Sequence, residues 1–332
     1  MKMKIFEEVV RKIHESKNIV LTTHLNPDGD GIGAVIALLL GLNKYIKNKG
    51  LNDKRIRVII VDNIPSNLKF LFGSELIEKY ENYNTKYSSD LLIALDTGTL
   101  ERVGDIKNIS KNISKNIINI DHHVSNTNYG IINYIDSKCA STCEIIYELL
   151  EFMDIEIDAL IGEALYTGFI NDTGNFKHSN VLPETFEKAS KLIAAGVDNT
   201  KIIREFLDRK KYSALKLFGR ALERANIIED KKFIYTYISQ TDFKEFCGDK
   251  FDTDGIVEFI LQCDLAETSL FLREEENGSI KGSMRTKSDI LDLNDIVGVF
   301  SGGGHKKAAG FSSKLSCQEI VKKIMEILEK IE

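Results

Sequence analysis

The chain has 332 residues, which at roughly 150 per domain suggests two compact units, each large enough to bury a core without disulfide or metal staples. Hydrophobic residues make up 43% and charged residues 28%, so neither low hydrophobicity nor excess charge points to disorder. With 44 Lys+Arg against 50 Asp+Glu the net charge is −6, which argues against a general electrostatic grip on long nucleic acid while leaving room for a local basic cleft.

The five cysteines, Cys139, Cys143, Cys247, Cys263 and Cys317, contain no CxxC pair, and their odd number fits a reducing cytoplasm. The start, MKMKIFEEVV, is charged where a signal peptide needs an apolar core. The longest apolar run, Ala34 to Leu40, falls short of the roughly 20 residues that a membrane span requires. A cytoplasmic protein with no membrane partner is expected.

In chain order, an amphipathic stretch from Ile5 to Ser16 precedes an apolar run from Asn18 to Thr23, a helical pattern from Gly31 to Lys47 and a β-branched run from Arg55 to Asp62. The runs Leu91 to Asp96 and Asn116 to Asp121 are short and continuously apolar, as strands buried on both faces of a parallel sheet should be. This alternation predicts an α/β fold with a doubly wound, mainly parallel sheet. Three of the strands run into a His or Asp at their carboxyl ends, the edge where such sheets bind ligands.

From Thr142 onward the pattern is helical: Thr142 to Phe152, Asp158 to Ile170, Pro183 to Ala195, then Asn199 to Arg224 as a connector. A second strand-rich region follows, with Lys232 to Ile238, Thr268 to Glu274, a turn at Glu276-Asn277-Gly278 and a returning strand Ser279 to Thr286. A helix over Cys317 to Ile331 closes the chain. These patterns divide it into residues 1–195, a helical linker at 196–225 and a smaller α/β domain at 226–332. The tandem KNIS from Lys107 to Ser114 reads as biased surface composition.

The chemistry concentrates at strand ends. His24-Leu25-Asn26-Pro27-Asp28-Gly29-Asp30-Gly31 puts one imidazole and two carboxylates in one tight turn before a helix, with one of the chain's three prolines fixing the backbone between them. Taken alone, Asp30 also reads as a helix N-cap and His24 as a loop residue. Leu95-Asp96-Thr97-Gly98 and Asp121-His122-His123 each follow an apolar strand, and Asn171-Asp172-Thr173-Gly174 ends a helical stretch. Neighbouring histidines in an extended segment face opposite ways, so one can bind a metal while the other points to substrate. His14 lies on an amphipathic helix and reads as structural, and His178 as a residue bordering the substrate path.

These four motifs in this order resemble the DHH phosphoesterase superfamily. Gly302-Gly303-Gly304-His305-Lys306-Lys307-Ala308-Ala309-Gly310 resembles the glycine-rich signature of the DHH-associated domain. With only these two domains, and with Ala140-Ser141-Thr142 followed by Glu144, the chain is similar to the NrnA-like oligoribonucleases (nanoRNases), which also remove the 3′-phosphate of 3′-phosphoadenosine 5′-phosphate (pAp).

The resemblance implies metal ligands at His24, Asp28, Asp30, Asp96, His122 and Asp172, with Asp96 bridging two ions about 3.5 to 4 Å apart. Two imidazoles and four carboxylates form a hard set suited to manganese, with cobalt or magnesium as substitutes. Such a pair lowers the pKa of a water and neutralises phosphoryl charge, so in-line hydroxide attack on phosphorus is expected. His123 is left to bond a phosphate oxygen or protonate the leaving group, and Asp121 to orient the histidines. Arg285 and the Gly302-Gly303-Gly304-His305 run, read as an anion nest, are expected to hold substrate phosphate, with Arg102 a further contact. Short RNA of about two to five nucleotides is the expected substrate, with no binding of long duplexes. A cyclic di-AMP or linear dinucleotide (pApA, pGpG) phosphodiesterase is the alternative. RecJ-like exonuclease, pyrophosphatase and non-catalytic nucleotide-binding readings rank lower, and a homodimer is compatible with all of them.

Overall fold

The structure, a computed structural model, describes residues 2–80, 89–104 and 116–331. It separates into two units, Met1–Arg209 and Lys210–Glu332. The KNIS repeat lies outside the described residues.

The first unit runs α1 (Lys2–Glu15), β1 (Asn18–Thr22), α2 (Gly29–Lys49), β2 (Arg55–Ile60), β3 (Ile77–Lys79), β4 (Leu91–Leu95), β5 (Ile117–Asp121), β6 (Ile132–Ile135), α3 (Thr142–Phe152), α4 (Ala159–Asp172) and α5 (Pro183–Ala194). Its strands form a six-stranded sheet in the order β3-β2-β1-β4-β5-β6. Every pairing in it is parallel. The expected sheet is therefore present, and its order reverses between β1 and β4, which opens a crevice at their carboxyl ends.

The apolar runs are continuous because both faces are covered. Ile19, Leu21, Ile93 and Ile118 pack in one core with residues of α2, α3 and α4. Val20, Ile59, Leu92 and Ala94 face the other way, around Val103.

Helix α2 has 21 residues and, among the described residues, is the one helix long and apolar enough to cross a membrane. The apolar run Ala34 to Leu40 is only part of it: the helical pattern expected from Gly31 to Lys47 gains two residues at each end. Yet 78% of its most apolar window is buried inside the protein, so its apolar surface covers the sheet and the helices beside it. Asp28, rather than Asp30, caps it, accepting N–H bonds from Asp30 and Gly31 at 3.1 Å each. Gly50 ends it at φ 67°, a left-handed conformation suited to glycine.

Close approach of α2 to its neighbours depends on missing side chains. A Cβ at Gly33 would strike the Ala164 carbonyl oxygen of α4, and one at Gly41 would strike Leu150 of α3.

Beyond α5 the expected helix from Asn199 to Arg224 is broken. A short turn, Asn199–Ile202, leads into a π-helix, Ile203–Asp208, and the chain resumes as α6 (Tyr212–Glu223). Arg209-Lys210-Lys211 offers no apolar residue to bury, and Arg209 is extended. The Phe206 carbonyl, freed where the helix stops, accepts from Asn67 Nδ2 at 3.0 Å.

The second unit starts with α6 and continues through β7 (Asn226–Ile228), β8 (Phe233–Ile238), α7 (Gln240–Phe246), α8 (Ile256–Ile260), β9 (Thr268–Glu274), β10 (Ile280–Thr286), α9 (Leu293–Val297), β11 (Gly303–His305), β12 (Ala308–Ser313) and α10 (Cys317–Ile331). The sheet order is β11-β12-β10-β9-β8-β7, with β8 and β9 parallel and the other pairs antiparallel. The turn at Gly278, φ 77°, closes the expected hairpin of β9 and β10. Leu270, Leu272 and Met284 pack against Ile320 and Ile324 of α10 on one face. Ile234 and Phe271 meet Leu217 and Ala221 of α6 on the other.

One buried carboxylate ties this unit together. Asp242 accepts from Arg220 Nη1 at 2.6 Å, from Arg224 Nη1 at 2.6 Å and from the Ser239 N–H at 2.8 Å. Burial acts to raise its pKa, but the Arg224 and Ser239 bonds outweigh it and hold the carboxyl below the ordinary value.

Two stability predictions follow from this packing. Gly33→Ala should lower the unfolding free energy by about 1–3 kcal/mol, because the clash is with backbone that cannot turn aside; a shifted urea midpoint at unchanged slope is the measurement. The folded-state pKa of Asp242 lies below that of the unfolded chain, so its stabilisation is present above the ordinary carboxylate range and is lost as the pH falls through the folded value. Asp242→Asn should therefore cost about 1–3 kcal/mol at neutral pH, and the variant should lose less further stability than the parent between pH 5 and pH 3 in denaturant titrations.

Candidate metal centre

The site forms where β1 and β4 end side by side. After β1, the chain turns through Asn26 at φ 52° and Pro27 into α2. This turn tolerates no bulk: a Cβ on Gly29 would lie 2.7 Å from Phe206 Cζ and 2.9 Å from Asn171 Cβ. After β4, Asp96 takes φ 55°, a strained conformation for a non-glycine residue. Its N–H stays tied to the Ile120 carbonyl at 3.0 Å.

Two groups of donors meet at Asp96. His24 Nε2 lies 3.6 Å from Asp28 Oδ1 and 3.4 Å from Asp96 Oδ2. On the other side, His122 Nε2 lies 3.7 Å from Asp96 Oδ1 and 2.9 Å from Asp172 Oδ2. Donor atoms of Asp30, His122 and Asp172 all lie within 4.8 Å of one another. The structure thus brings together all six residues expected to hold metal, with one oxygen of Asp96 facing each group.

The electrostatics of this cluster call for positive charge. Burial, and then repulsion from Asp96 and Asp172, push the Asp30 carboxyl well up; burial and Asp96 raise Asp172. Burial opposes charging His24 and His122, but the facing carboxylates outweigh it and push both up to about 10.

The donors also fit divalent cations one by one. His122 Nε2 is buried, and the atoms it faces are carboxylate oxygens, Asp172 Oδ2 and Asp96 Oδ1. His24 Nδ1 lies 2.8 Å from the Leu25 carbonyl, which makes that nitrogen the donor and leaves Nε2, facing Asp28 and Asp96, as the nitrogen that would give up its proton to bind an ion. An oxygen-rich set with two imidazoles suits a hard or borderline ion.

Asp121 and His123 adjoin the cluster: His123 Nδ1 lies 3.6 Å from Asp96 Oδ1, and ligand-type atoms of Asp96, Asp121, His122 and His123 lie within 4.8 Å of one another. Asp121 is fully buried. It accepts from the His122 N–H at 2.8 Å, from His123 Nδ1 at 2.7 Å and from Asn126 Nδ2 at 2.6 Å. Burial alone would raise its pKa, but His123 and Asn126 hold it down, and the bond to Asp121 raises that of His123. The His123 side chain is 40% exposed, which leaves its Nε2 edge available to a ligand.

Other expected contacts are placed as follows. Arg102 Nη2 lies 3.1 Å from His24 Nδ1, at the edge of the cluster. In the second unit, Arg285 pairs with Glu258 Oε1 at 2.8 Å and donates to the Met284 carbonyl at 2.8 Å. The glycine run differs from the expected nest. Gly302 spends its N–H on the Val297 carbonyl at 2.9 Å, and Gly303, Gly304 and His305 form β11, an exposed edge strand on β12. The glycines answer a packing demand here, since a Cβ on Gly302 would lie 2.5 Å from the Gly310 carbonyl oxygen. His14 bonds Tyr45 Oη at 2.6 Å. Exposed His178 reaches the Asp172 carbonyl at 3.1 Å.

Sequence reasoning missed the residues that hold the ligands. Thr142 donates its N–H to Asp30 Oδ2 at 2.6 Å and its hydroxyl to Asp96 Oδ1 at 3.0 Å. The Cys143 N–H reaches Asp30 Oδ1 at 2.9 Å, and Asn171 Nδ2 reaches Asp172 Oδ1 at 2.7 Å. The signal available was Ser141 followed by Glu144, which marks a helix start: Ser141 Oγ accepts from the Glu144 N–H at 3.2 Å.

Residues 18–169 match the N-terminal domain of the DHH family and residues 230–332 match the DHHA1 domain. The chain carries a DHH domain and a DHHA1 domain. It is 28% identical over 99% of its length to the bifunctional oligoribonuclease and PAP phosphatase NrnA of Thermus thermophilus, covering 94% of that protein. It is 26% identical over 96% of its length to the cyclic-di-AMP phosphodiesterase GdpP of Bacillus subtilis, of which it covers 48%. A solved structure of an exopolyphosphatase-related protein from Bacteroides fragilis matches with a TM-score of 0.84 and 27% identity, covering 98% of this chain and 96% of that one.

In this DHH protein, Asp96→Asn should abolish high-affinity metal binding, measured by calorimetry with manganese. Turnover should fall by more than ~100-fold, the upper end of what residues outside the ligand set cost.

Proposed function

We propose that this DHH phosphoesterase is a manganese-dependent enzyme that hydrolyses short oligoribonucleotides to mononucleotides and removes the 3′-phosphate of pAp. The observation that carries this reading is the convergence of two groups of ligand-type side chains on the two oxygens of Asp96. Relatives over nearly the whole chain are named for both activities.

His24, Asp28 and Asp96 would hold one ion, and Asp30, Asp96, His122 and Asp172 the other. When bound, the pair would supply charge neutralisation for the phosphoryl group and a water of lowered pKa. The chain's own groups do the rest. His123, whose charged form is favoured by its bond to Asp121, would offer its Nε2 proton to a phosphate oxygen or to the departing oxygen. Arg102, beside His24, adds charge for a second phosphoryl oxygen. In the second unit, Arg285 and His305 are the groups assigned to a substrate phosphate. This DHHA1 unit and the −6 net charge favour short substrates over a long strand needing an extended basic track. Free cysteines throughout the described chain suit a reducing, cytoplasmic setting.

The likeness to a cyclic-di-AMP phosphodiesterase over 96% of the chain supports a second reading, cleavage of cyclic or linear dinucleotides. Purified protein with manganese, offered pAp, pApA, cyclic di-AMP and single-stranded RNA in a length series at fixed salt, separates them. We expect kcat/KM to be highest for substrates of about two to five units and to fall for longer strands, with all turnover lost in excess chelator. Cyclic di-AMP turned over faster than every linear substrate would favour the second reading, and full activity with chelator present would end the metal-dependent one.

A further inference from the structure

Thr142 touches both groups of the metal centre without being of ligand type. Its backbone N–H bonds Asp30 Oδ2 at 2.6 Å and its hydroxyl bonds Asp96 Oδ1 at 3.0 Å. Thr142 is completely buried and sits in the first turn of α3, whose start is fixed by Ser141 as N-cap. It therefore cannot follow the carboxylates if they move; they must come to it.

The two carboxylates need such a guide for different reasons. Asp30 lies among like charges, and its two oxygens are claimed by successive N–H groups of α3, those of Thr142 and Cys143. Asp96 sits on strained backbone at φ 55°. Its Oδ2 lies 3.4 Å from His24 Nε2 and its Oδ1 3.7 Å from His122 Nε2, so a small rotation of the carboxylate would move each oxygen off the group it faces. The Thr142 hydroxyl bonds the oxygen that faces His122 and so opposes that rotation.

We infer that Thr142 is a positioning residue that sets how Asp96 is shared between the two metal groups. The inference rests on the two-metal reading above. It assigns the hydroxyl, rather than the bulk of the side chain, as the group that holds the second ion in place.

Substitutions can separate hydroxyl from bulk. Thr142→Val keeps the branched shape and removes the donor, whereas Thr142→Ser keeps the donor and removes the methyl. Calorimetry with manganese on the full chain should give two ions for the parent and for Thr142→Ser. For Thr142→Val one of the two affinities should fall by about 10–100-fold, the usual cost of removing an outer-sphere partner. The spin-coupled manganese-pair signal in paramagnetic resonance should weaken in parallel. If Thr142→Val does not fold, Thr142→Ala compared with Thr142→Ser isolates the same hydroxyl. Parental affinities and coupling in the variants lacking the hydroxyl would overturn the inference, as would an equal loss in Thr142→Ser. A parent that binds no pair would instead defeat the two-metal reading itself, and this inference with it.

Discussion

Four buried or half-buried carboxylates crowd around two imidazoles at the end of one sheet, and the rest of the first unit is arranged to tolerate that crowding. Unit charges about 4 Å apart repel by about 4 kcal/mol at the effective dielectric of a protein site, so Asp30, Asp96 and Asp172 would drift apart without restraint. Each is restrained by donors that are not ligand-type: Asp30 by two N–H groups of α3, Asp96 by the Thr142 hydroxyl and Asp172 by Asn171. The partial positive charge of a helix N-terminus adds to the hold on Asp30.

That arrangement explains why the interior is so rich in glycine along α2. For the first turn of α3 to reach Asp30, helices α2, α3 and α4 must approach more closely than side chains allow, and Gly33, Gly41 and Gly168 open the space. A Cβ on Gly168 would fall on Cys143 and only 2.6 Å from Asp30 Oδ1. Helix packing and ligand geometry are one problem here, because the glycines that permit the core also permit the site.

Much of this was legible in the sequence. Short apolar runs ending in Asp or His predicted a parallel sheet with chemistry at its carboxyl edge, and β1, β4 and β5 end at that chemistry. Helix α3 and strand β9 run over the residues expected from periodicity. What failed to show was set by contacts remote in sequence. Strand β6 is four residues long and only alternately buried, too weak a pattern to stand out. The helix expected beyond Asn199 breaks because a cationic triplet has nothing to bury, which periodicity in the flanking residues concealed. The role of Thr142 depends on residues 46 and 112 positions away, and no local pattern carries such information.

The glycine run of the second unit shows how a correct motif can carry a wrong physical picture. A nest needs free N–H groups converging on one point, yet Gly302 has already given its N–H to Val297 and the following residues lie in an edge strand. If this region meets phosphate, the charge must come from side chains. Arg285 is suited to that, because its partner Glu258 has a side chain 51% exposed. A pair so open to water contributes only about 0–1 kcal/mol, so a phosphate can take the place of Glu258 at little cost. His305, exposed on β11 beside the Ala308 end of β12, pairs with the same residue as Arg285 does across the sheet. The Arg285 and His305 side chains are thereby set at one end of the sheet by strand register, and it is register rather than a glycine loop that would define the phosphate contact.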